Sequence, residues 1–534
     1  MREARLVQHL LEDAATKAPS RSALVDLAGG RRSIDYEAFH KMANGCAAVL
    51  QDCSIARGDR VAIYLPKSLE ESAAIFAVTI AGGVFVSVNS VLLGRQVAHI
   101  LRDCGARFLI ISSRDWRRIR DDVGDVESLH CLLLADGACD ETSANVPYVA
   151  EVMHQAGSPR ASCAIAEDLA GILYTSGSTG KPRGVMLSHL NLTAGARIVS
   201  RYLEITAADR ILSVVPFSFD YGLNQLLTSV QHAATIVLLQ FRFPSEIVNA
   251  LKEEAATGLA GVPLIWAGLT HHASGLRTVQ LPGLRYISNT GGAVPTSTVR
   301  TLRELLPDTK IFLMYGLTEA FRSTYLPPGE VDRRPNSIGK AIPETEIMVI
   351  NQVGKCCQPG EPGILVHRGP TVSLGYWGKP DLTREVLRPH PFIPADQGGG
   401  TVCYSGDLVR TDEEGFIYYI GRADCQIKSQ GYRISPTEVE EVLMAGGELS
   451  AAAVIGLPDP HASETVHAIV VPAALQPVDT AAILRRCVSC LPSYMVPKTV
   501  EIVDLLPKTP NGKVDYQTLR EERLARTEAT QLVS

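Results

Sequence analysis

Residues Tyr174 to Gly184 read YTSGSTGKPRG, and a run of small residues, Thr175, Ser176, Gly177, Ser178, Thr179 and Gly180, leads into a single lysine, Lys181. Such a run can turn backbone N–H groups and hydroxyls toward phosphate oxygens, with the ammonium adding a point charge. It is not the GxxxxGK[ST] loop of a P-loop kinase, because Pro182 stands where that loop needs a hydroxyl residue. By composition alone it would also suit a flexible surface loop, but the apolar ILY before it and GVMLSH after it set it between ordered segments. The other ligand-like spacing, Cys487 to Cys490, has no second pair and no histidine partner at zinc-ligand spacing. The 12 cysteines read as reduced, packed thiols of a cytoplasmic protein.

The elements that must carry this loop are those of an α/β protein. Strand-like apolar runs recur between helical patterns: RVAIYLP (60–66), FLIISS (108–113), ILSVVPFSF (211–219), IVLLQ (236–240) and IFLMYG (311–316). The alternation predicts layers with largely parallel strands. MREARLVQHLLEDAATKAPS predicts an amphipathic first helix and lacks the apolar core of a signal peptide. The most apolar stretch, Ala73 to Val88, is shorter than the roughly 20 residues of a spanning helix and contains Gly82-Gly83, so it reads as a buried helix turning into a buried strand, with no membrane span. From Gly415 the text shifts to short strand-like pieces, a helix opened by Ser435-Pro436-Thr437-Glu438, then AAAVIGLPD, HAIVVPAA and a second helix. A boundary at Gly421-Arg422-Ala423-Asp424 divides the 534 residues into a large unit, 1–421, and a small one, 422–534. A net charge of −6 gives no basic footprint for nucleic acid.

Further motifs follow the loop in order: Thr290-Gly291-Gly292-Ala293, Tyr315-Gly316-Leu317-Thr318-Glu319, Ser405-Gly406-Asp407, Gly421-Arg422-Ala423-Asp424 and Pro507-Lys508-Thr509-Pro510-Asn511-Gly512-Lys513. Together they resemble the adenylate-forming superfamily, which holds acyl-CoA ligases, amino-acid adenylation domains and luciferases, over nearly the whole chain. The resemblance implies an α/β fold: an N-terminal domain of two α/β subdomains and a smaller β-rich portion, followed by a small mobile α+β C-terminal lid. It implies ATP and Mg²⁺, a small carboxylic or amino acid, and the thiol of CoA or of the phosphopantetheine on a separate acyl carrier protein. Carried onto this chain, the loop from Thr175 to Lys181 holds phosphate, and Gly291, Gly292 and Ala293 border adenine. Tyr315 and Gly316 lie near adenine, Thr318 contacts phosphate, and Glu319 holds Mg²⁺. Asp407 binds the ribose hydroxyls, with Arg422 also at the nucleotide. Asp424 is the hinge, Lys513 the catalytic lysine, and Lys428 with Gly431 lines the thioester-forming face. The chemistry has a physical logic: attack of a carboxylate on the α-phosphate brings anion to anion, so cations must neutralise the crowded centre.

The acyl pocket departs from many fatty and aryl acyl-CoA ligases, which carry a histidine at the position of Phe219. FSFD, ending in Asp220, resembles the FDxS element of amino-acid adenylation domains, where the aspartate pairs with an α-amino group. A carboxylate beside an acyl pocket is costly unless satisfied, so Asp220 is expected to receive a substrate ammonium, or else to cap a helix or turn. Tyr221, Asn224, Ser288, Thr290, Met314, Arg322 and Ser323 are expected to line the same pocket. Arg322 suits a second carboxylate, or else a salt bridge within its own loop, where GEVDRRP is near. Asp220 and Arg322 together would fit an amino dicarboxylic acid. The segment FLMYGLTEAFRSTYLPPGEVDRRPNSIGKAIP further resembles AMP-forming acyl-CoA ligases associated with bacterial exosortase gene clusters. The expected function is an AMP-forming acid–thiol ligase for an amino acid or polar acid. Alternatives are a medium- or long-chain fatty acyl-CoA ligase with a structural Asp220, and a nucleotide-binding regulator without turnover.

Overall fold

The computed structural model describes residues 5–136, 147–176, 182–423, 427–429, 432–459, 463–473, 478–491, 493–509 and 512–531. Strands such as Val84–Ser87, Phe108–Ile111, Cys131–Leu134 and Thr235–Leu238 are buried at every position. Continuous apolar runs of this length suit strands covered by helices on both faces. One seven-stranded sheet joins Tyr148–Val149, Cys131–Leu134, Phe108–Ile111, Arg60–Tyr64, Val84–Ser87, Leu169–Ser176 and Pro182–Ser188. It is parallel except for its last pair, the antiparallel hairpin Leu169–Ser176 and Pro182–Ser188.

A second, 14-stranded sheet has two characters. From Ser22–Asp26 through Thr235–Leu238, Arg210–Ser213, Gly258–Gly261, Tyr286–Asn289 and Lys310–Tyr315 its neighbours run parallel. Beyond Tyr315 the chain doubles back through Thr324–Leu326 and Ser337–Ala341, and the pairing becomes antiparallel out to Thr401–Thr411, Gly363–Arg368 and Glu346–Ile350. The helices Tyr36–Asp52, Leu69–Ile80 and Asp220–Gln231 fill one continuous core with residues from both sheets, among them Phe39, Phe76, Phe85 and Leu226.

Strands from Ile427 onward form a separate five-stranded sheet backed by the helices Pro436–Met444, Thr480–Cys490 and Tyr516–Gln531. The first of these opens as its sequence demands: Pro436 lies at the start, where no N–H is needed, and the Ser435 hydroxyl accepts from Glu438 N. Ser435 Oγ also donates to the carbonyl of Ile420, tying this unit to the last strand of the large sheet. Cys487 packs in the small core and Cys490 is exposed.

One expectation is corrected. The apolar run 211–219 is not one strand: the strand ends at Ser213, and Val214 to Phe219 cross over to a helix that begins at Asp220. Pro216 lacks the N–H of a sheet ladder. The buried Lys67 instead fixes the crossing, donating to Ser213 Oγ at 2.7 Å and to the Val215 carbonyl.

Candidate active site

The motifs collect where strands of the parallel sheet end, the place at which open α/β sheets offer a crevice. Thr175 and Ser176 end the strand of the phosphate-loop hairpin, opposite Arg183 and Pro182. Gly177, Ser178, Thr179, Gly180 and Lys181 lie outside the described residues, as do Asp424 and Gly431. Lys428 falls on the strand Ile427–Ser429, and its side chain also lies outside them.

After Asn289 the chain turns through Thr290, Gly291, Gly292 and Ala293. Asn289 braces this turn, donating Nδ2 to the Gly292 carbonyl at 2.9 Å while its Oδ1 accepts from Trp266 Nε1 at 2.9 Å. Gly291 has φ +83°, a conformation that favours glycine, and a Cβ there would touch Val262 and the Phe219 ring.

Tyr315, the last residue of its strand, donates its hydroxyl to Asp407 Oδ2, and Arg422 Nη1 reaches Asp407 Oδ1 at 3.3 Å. Burial pushes the Asp407 carboxyl above its ordinary range, opposed by Arg422, by the Tyr315 hydroxyl and by the ammonium of Lys513. Lys513 belongs to the C-terminal unit, and its charge acts to lower the Asp407 carboxyl from across the chain. Its loop is held by Thr509 N donating to the Lys513 carbonyl at 2.8 Å and by Gly512 at φ +78°. Thr318 is buried, and Glu319 is half-buried, accepting at Oε1 from the Tyr376 hydroxyl at 2.5 Å.

The predicted acyl pocket is polar and closed upon itself. Tyr221 donates to the Ser288 carbonyl at 2.8 Å and lies 2.6 Å from Ser288 Oγ. Met314 Sδ accepts from the Tyr202 hydroxyl at 3.1 Å, and Tyr202 stacks on Tyr325 with ring centroids 4.3 Å apart. Arg322 is 1% exposed and its Nη1 lies 3.1 Å from Oδ2 of Asp220, itself 4% exposed. This corrects the two structural alternatives, Asp220 as a cap and Arg322 in a salt bridge of its own loop. Asp220 is the first helical residue, with Phe219 at the cap position, and the cation it meets is Arg322. Among the described residues Arg322 makes no salt bridge in its own loop, where Glu330 pairs with Arg334 and Asp332 with Arg303, and Arg334 also reaches Asp412 and Glu414. The two charges expected to reach out for two substrate groups meet each other.

A model of the AMP-binding enzyme family matches residues 11–377, and that family's C-terminal domain matches residues 438–513. The chain belongs to this family. Bacitracin synthase 3 of Bacillus licheniformis is 30% identical over 532 residues, which are 98% of this chain and 8% of that protein. This chain thus spans a small part of that relative. Feruloyl-CoA synthase of an Amycolatopsis species is 31% identical over 476 residues, covering 89% of this chain and 90% of that protein. The crystal structure of ATP-bound MatB from Rhodopseudomonas palustris superposes with a TM-score of 0.84 at 26% identity, over 97% of this chain and 98% of that one.

The half-buried carboxylate Glu319 stands where the family resemblance expects a Mg²⁺ ligand, while the other motif carboxylate, Asp407, is engaged by Tyr315 and Arg422. No group of three or more His, Cys, Asp or Glu among the described residues could hold an ion by itself. That donor set fits Mg²⁺, which keeps much of its water and is bound by one or two carboxylates together with substrate phosphates. Residues that sequence reasoning missed pack against the expected site: Tyr376 on Glu319, Tyr202 and Tyr325 beside Met314, and His367, whose ring stacks 6.2 Å from that of Tyr315. Only the apolar alternation of GILVHRGP hints that His367 points inward, and nothing local marks Tyr376.

Proposed function

We propose that this chain is an AMP-forming acid–thiol ligase acting on a small polar carboxylic acid. The observation that carries the reading is the cluster of Tyr315, Asp407 and Arg422, in which Arg422 Nη1 lies 3.3 Å from Asp407 Oδ1 and the charge of Lys513 also acts on the carboxyl. In this account Asp407 accepts from the ribose hydroxyls, with Tyr315 and Arg422 fixing its orientation. Lys513 neutralises charge as a carboxylate oxygen of the acid bonds to the α-phosphorus of ATP and the bond to pyrophosphate breaks. Glu319 would hold Mg²⁺, which would supply charge neutralisation at the phosphate oxygens. A pantetheine thiol then attacks the acyl carbon as its proton departs, and AMP leaves. That second step needs Lys513 withdrawn, so the small unit turns about Asp424 and brings Lys428 to the site.

A polar acid is favoured over a long alkyl chain by the buried Asp220–Arg322 pair and the Tyr221–Ser288 contacts. An apolar tail would leave the buried donors beside them, Arg322 Nε and Nη2 and Asn224 Nδ2, without solvent or partners. The acceptor is CoA or a carrier protein, and ATP as a substrate goes with a cytoplasmic location. No helix among the described residues is long and apolar enough to cross a membrane.

The test is acid-dependent ATP–pyrophosphate exchange over a panel of acids, followed by thioester detection with CoA or with a pantetheinylated carrier protein. Exchange with polar acids and a thioester on adding one thiol donor supports the reading. Nucleotide binding without exchange for any acid would return the chain to the regulator alternative.

A further inference from the structure

Asp220 and Asn224 lie one turn apart on the helix Asp220–Gln231 and so share a face. Across from them the turn Ala320 to Ser323 carries Phe321 at φ +48°, a left-handed conformation that a bulky side chain rarely adopts. This turn lays the Arg322 guanidinium over the Tyr221 ring at 4.9 Å. Nη1 is fully used, donating to Asp220 Oδ2 at 3.1 Å and to the Phe321 carbonyl at 2.7 Å. The other edge, Nε with Nη2, has no hydrogen-bond partner among the described residues, and neither does Asn224 Nδ2 or Ser323 Oγ. All these atoms are buried.

The chemistry of what is left unpaired decides the ligand. Asp220 already has a cation. The guanidinium edge and the amide nitrogen can only donate, and Ser323 can donate. An incoming ammonium would face a guanidinium and the positive end of a helix, with only an engaged carboxylate to receive it. An alkyl end would bury these donors for good. A planar anion with two oxygens matches the Nε and Nη2 fork in shape, charge and donor direction.

We propose that the Nε/Nη2 edge of Arg322, with Asn224 Nδ2 beside it, is a subsite for a second carboxylate, so that the activated acid is dicarboxylic and lacks the ammonium group first expected at Asp220. Asp220 is then a positioning residue that holds the guanidinium by Nη1 and leaves the fork free. The inference rests on the ligase reading above and narrows its substrate class.

The experiment is ATP–pyrophosphate exchange with acids matched in length: butyrate, 4-aminobutyrate and succinate; valerate, 5-aminovalerate and glutarate; hexanoate, 6-aminohexanoate and adipate. The wild type is compared with Arg322→Met and Arg322→Lys. A site built around paired polar groups rejects analogues lacking them strongly, so the best dicarboxylate should exceed its matched monocarboxylate by about a hundredfold or more in kcat/KM. Arg322→Lys retains the charge facing Asp220 and loses only the fork, so it should lose most of that preference through KM even if Arg322→Met fails to fold. Asp220→Asn should weaken the preference without transferring it to amino acids. Equal or better exchange with monocarboxylates or amino acids overturns the subsite and leaves the ligase reading standing. Exchange with no acid, from protein that still binds ATP, overturns both.

Discussion

Tyr376 donates its hydroxyl to Glu319 Oε1 at 2.5 Å across 57 residues of sequence, fixing the carboxylate proposed to hold Mg²⁺. Burial, reinforced by the Glu319 charge, pushes the Tyr376 phenol well above its ordinary value, so it stays a donor across the working pH range. Glu319 is further anchored through its backbone, where its carbonyl accepts from Ser373 N at 2.8 Å.

Tyr376→Phe should therefore lower kcat for adenylation by about tenfold to a hundredfold, the usual cost of removing a group that orients a metal ligand. The loss should be partly recovered at high Mg²⁺. An Mg²⁺ titration of ATP–pyrophosphate exchange checks this; identical Mg²⁺ dependence in variant and wild type would show that the hydrogen bond is only structural.

Lys513→Ala should suppress exchange by about a hundredfold to a thousandfold, as loss of a charge at a developing anion does. Thioester formation from a supplied acyl-adenylate should be nearly unchanged. Asp424→Pro should give the opposite pattern by restricting the hinge. Assays of the two half-reactions decide it, and equal loss of both in Lys513→Ala would remove that lysine from its proposed role.

His367 is fully buried behind Tyr315, neither ring nitrogen has a partner among the described residues, and burial lowers its pKa from 6.5 to about 3. Between those values the unfolded chain binds a proton that the native chain does not. The neutral-histidine contribution is thus complete above about pH 6.5 and is lost as pH falls toward 3, with a slope of up to about 1.4 kcal/mol per pH unit. His367→Leu should flatten the decline of unfolding free energy over that window. Denaturant melts at several pH values measure it; an unaltered slope would mean that His367 takes up its proton in the folded state.

Gly195 lies in the helix His189–Tyr202, where alanine would ordinarily stabilise by about 1 kcal/mol. Here a Cβ would stand 2.5 Å from the Phe321 ring and 3.4 Å from Asn224 Nδ2. Overpacking of that kind costs about 1–3 kcal/mol, so it should outweigh the helical gain. Gly195→Ala should lower Tm and raise KM for the acid, since Phe321 lies against the Arg322 guanidinium and Asn224 belongs to the proposed subsite. A rise in Tm would show that the Phe321 turn yields easily.

The sequence made legible whatever depends on neighbours in the chain. The helix opened by Ser435 and Pro436, the buried helix and strand of Ala73 to Val88, and the order of the nucleotide motifs all rest on local spacing. The strand drawn through 211–219 failed because an apolar run of that length suits a strand, a crossing loop and a helix start alike. The pocket was legible in its members and not in their pairing. Asp220 and Arg322 are 102 residues apart, and no local rule says that two inward charges will meet each other rather than a ligand. Tyr376 was missed for the same reason: its partner is set by the fold, through the loop that carries it back beside Val185.

The most direct test of the account follows oxygen. The acid that exchanges best is prepared with heavy oxygen in its carboxylate and incubated with ATP, Mg²⁺ and CoA, and the AMP is analysed by mass spectrometry. Attack of the carboxylate on the α-phosphorus followed by thiol capture predicts AMP carrying one heavy oxygen atom for each thioester formed. Unlabelled AMP, or ADP in its place, would contradict an acyl-adenylate and with it the central claim.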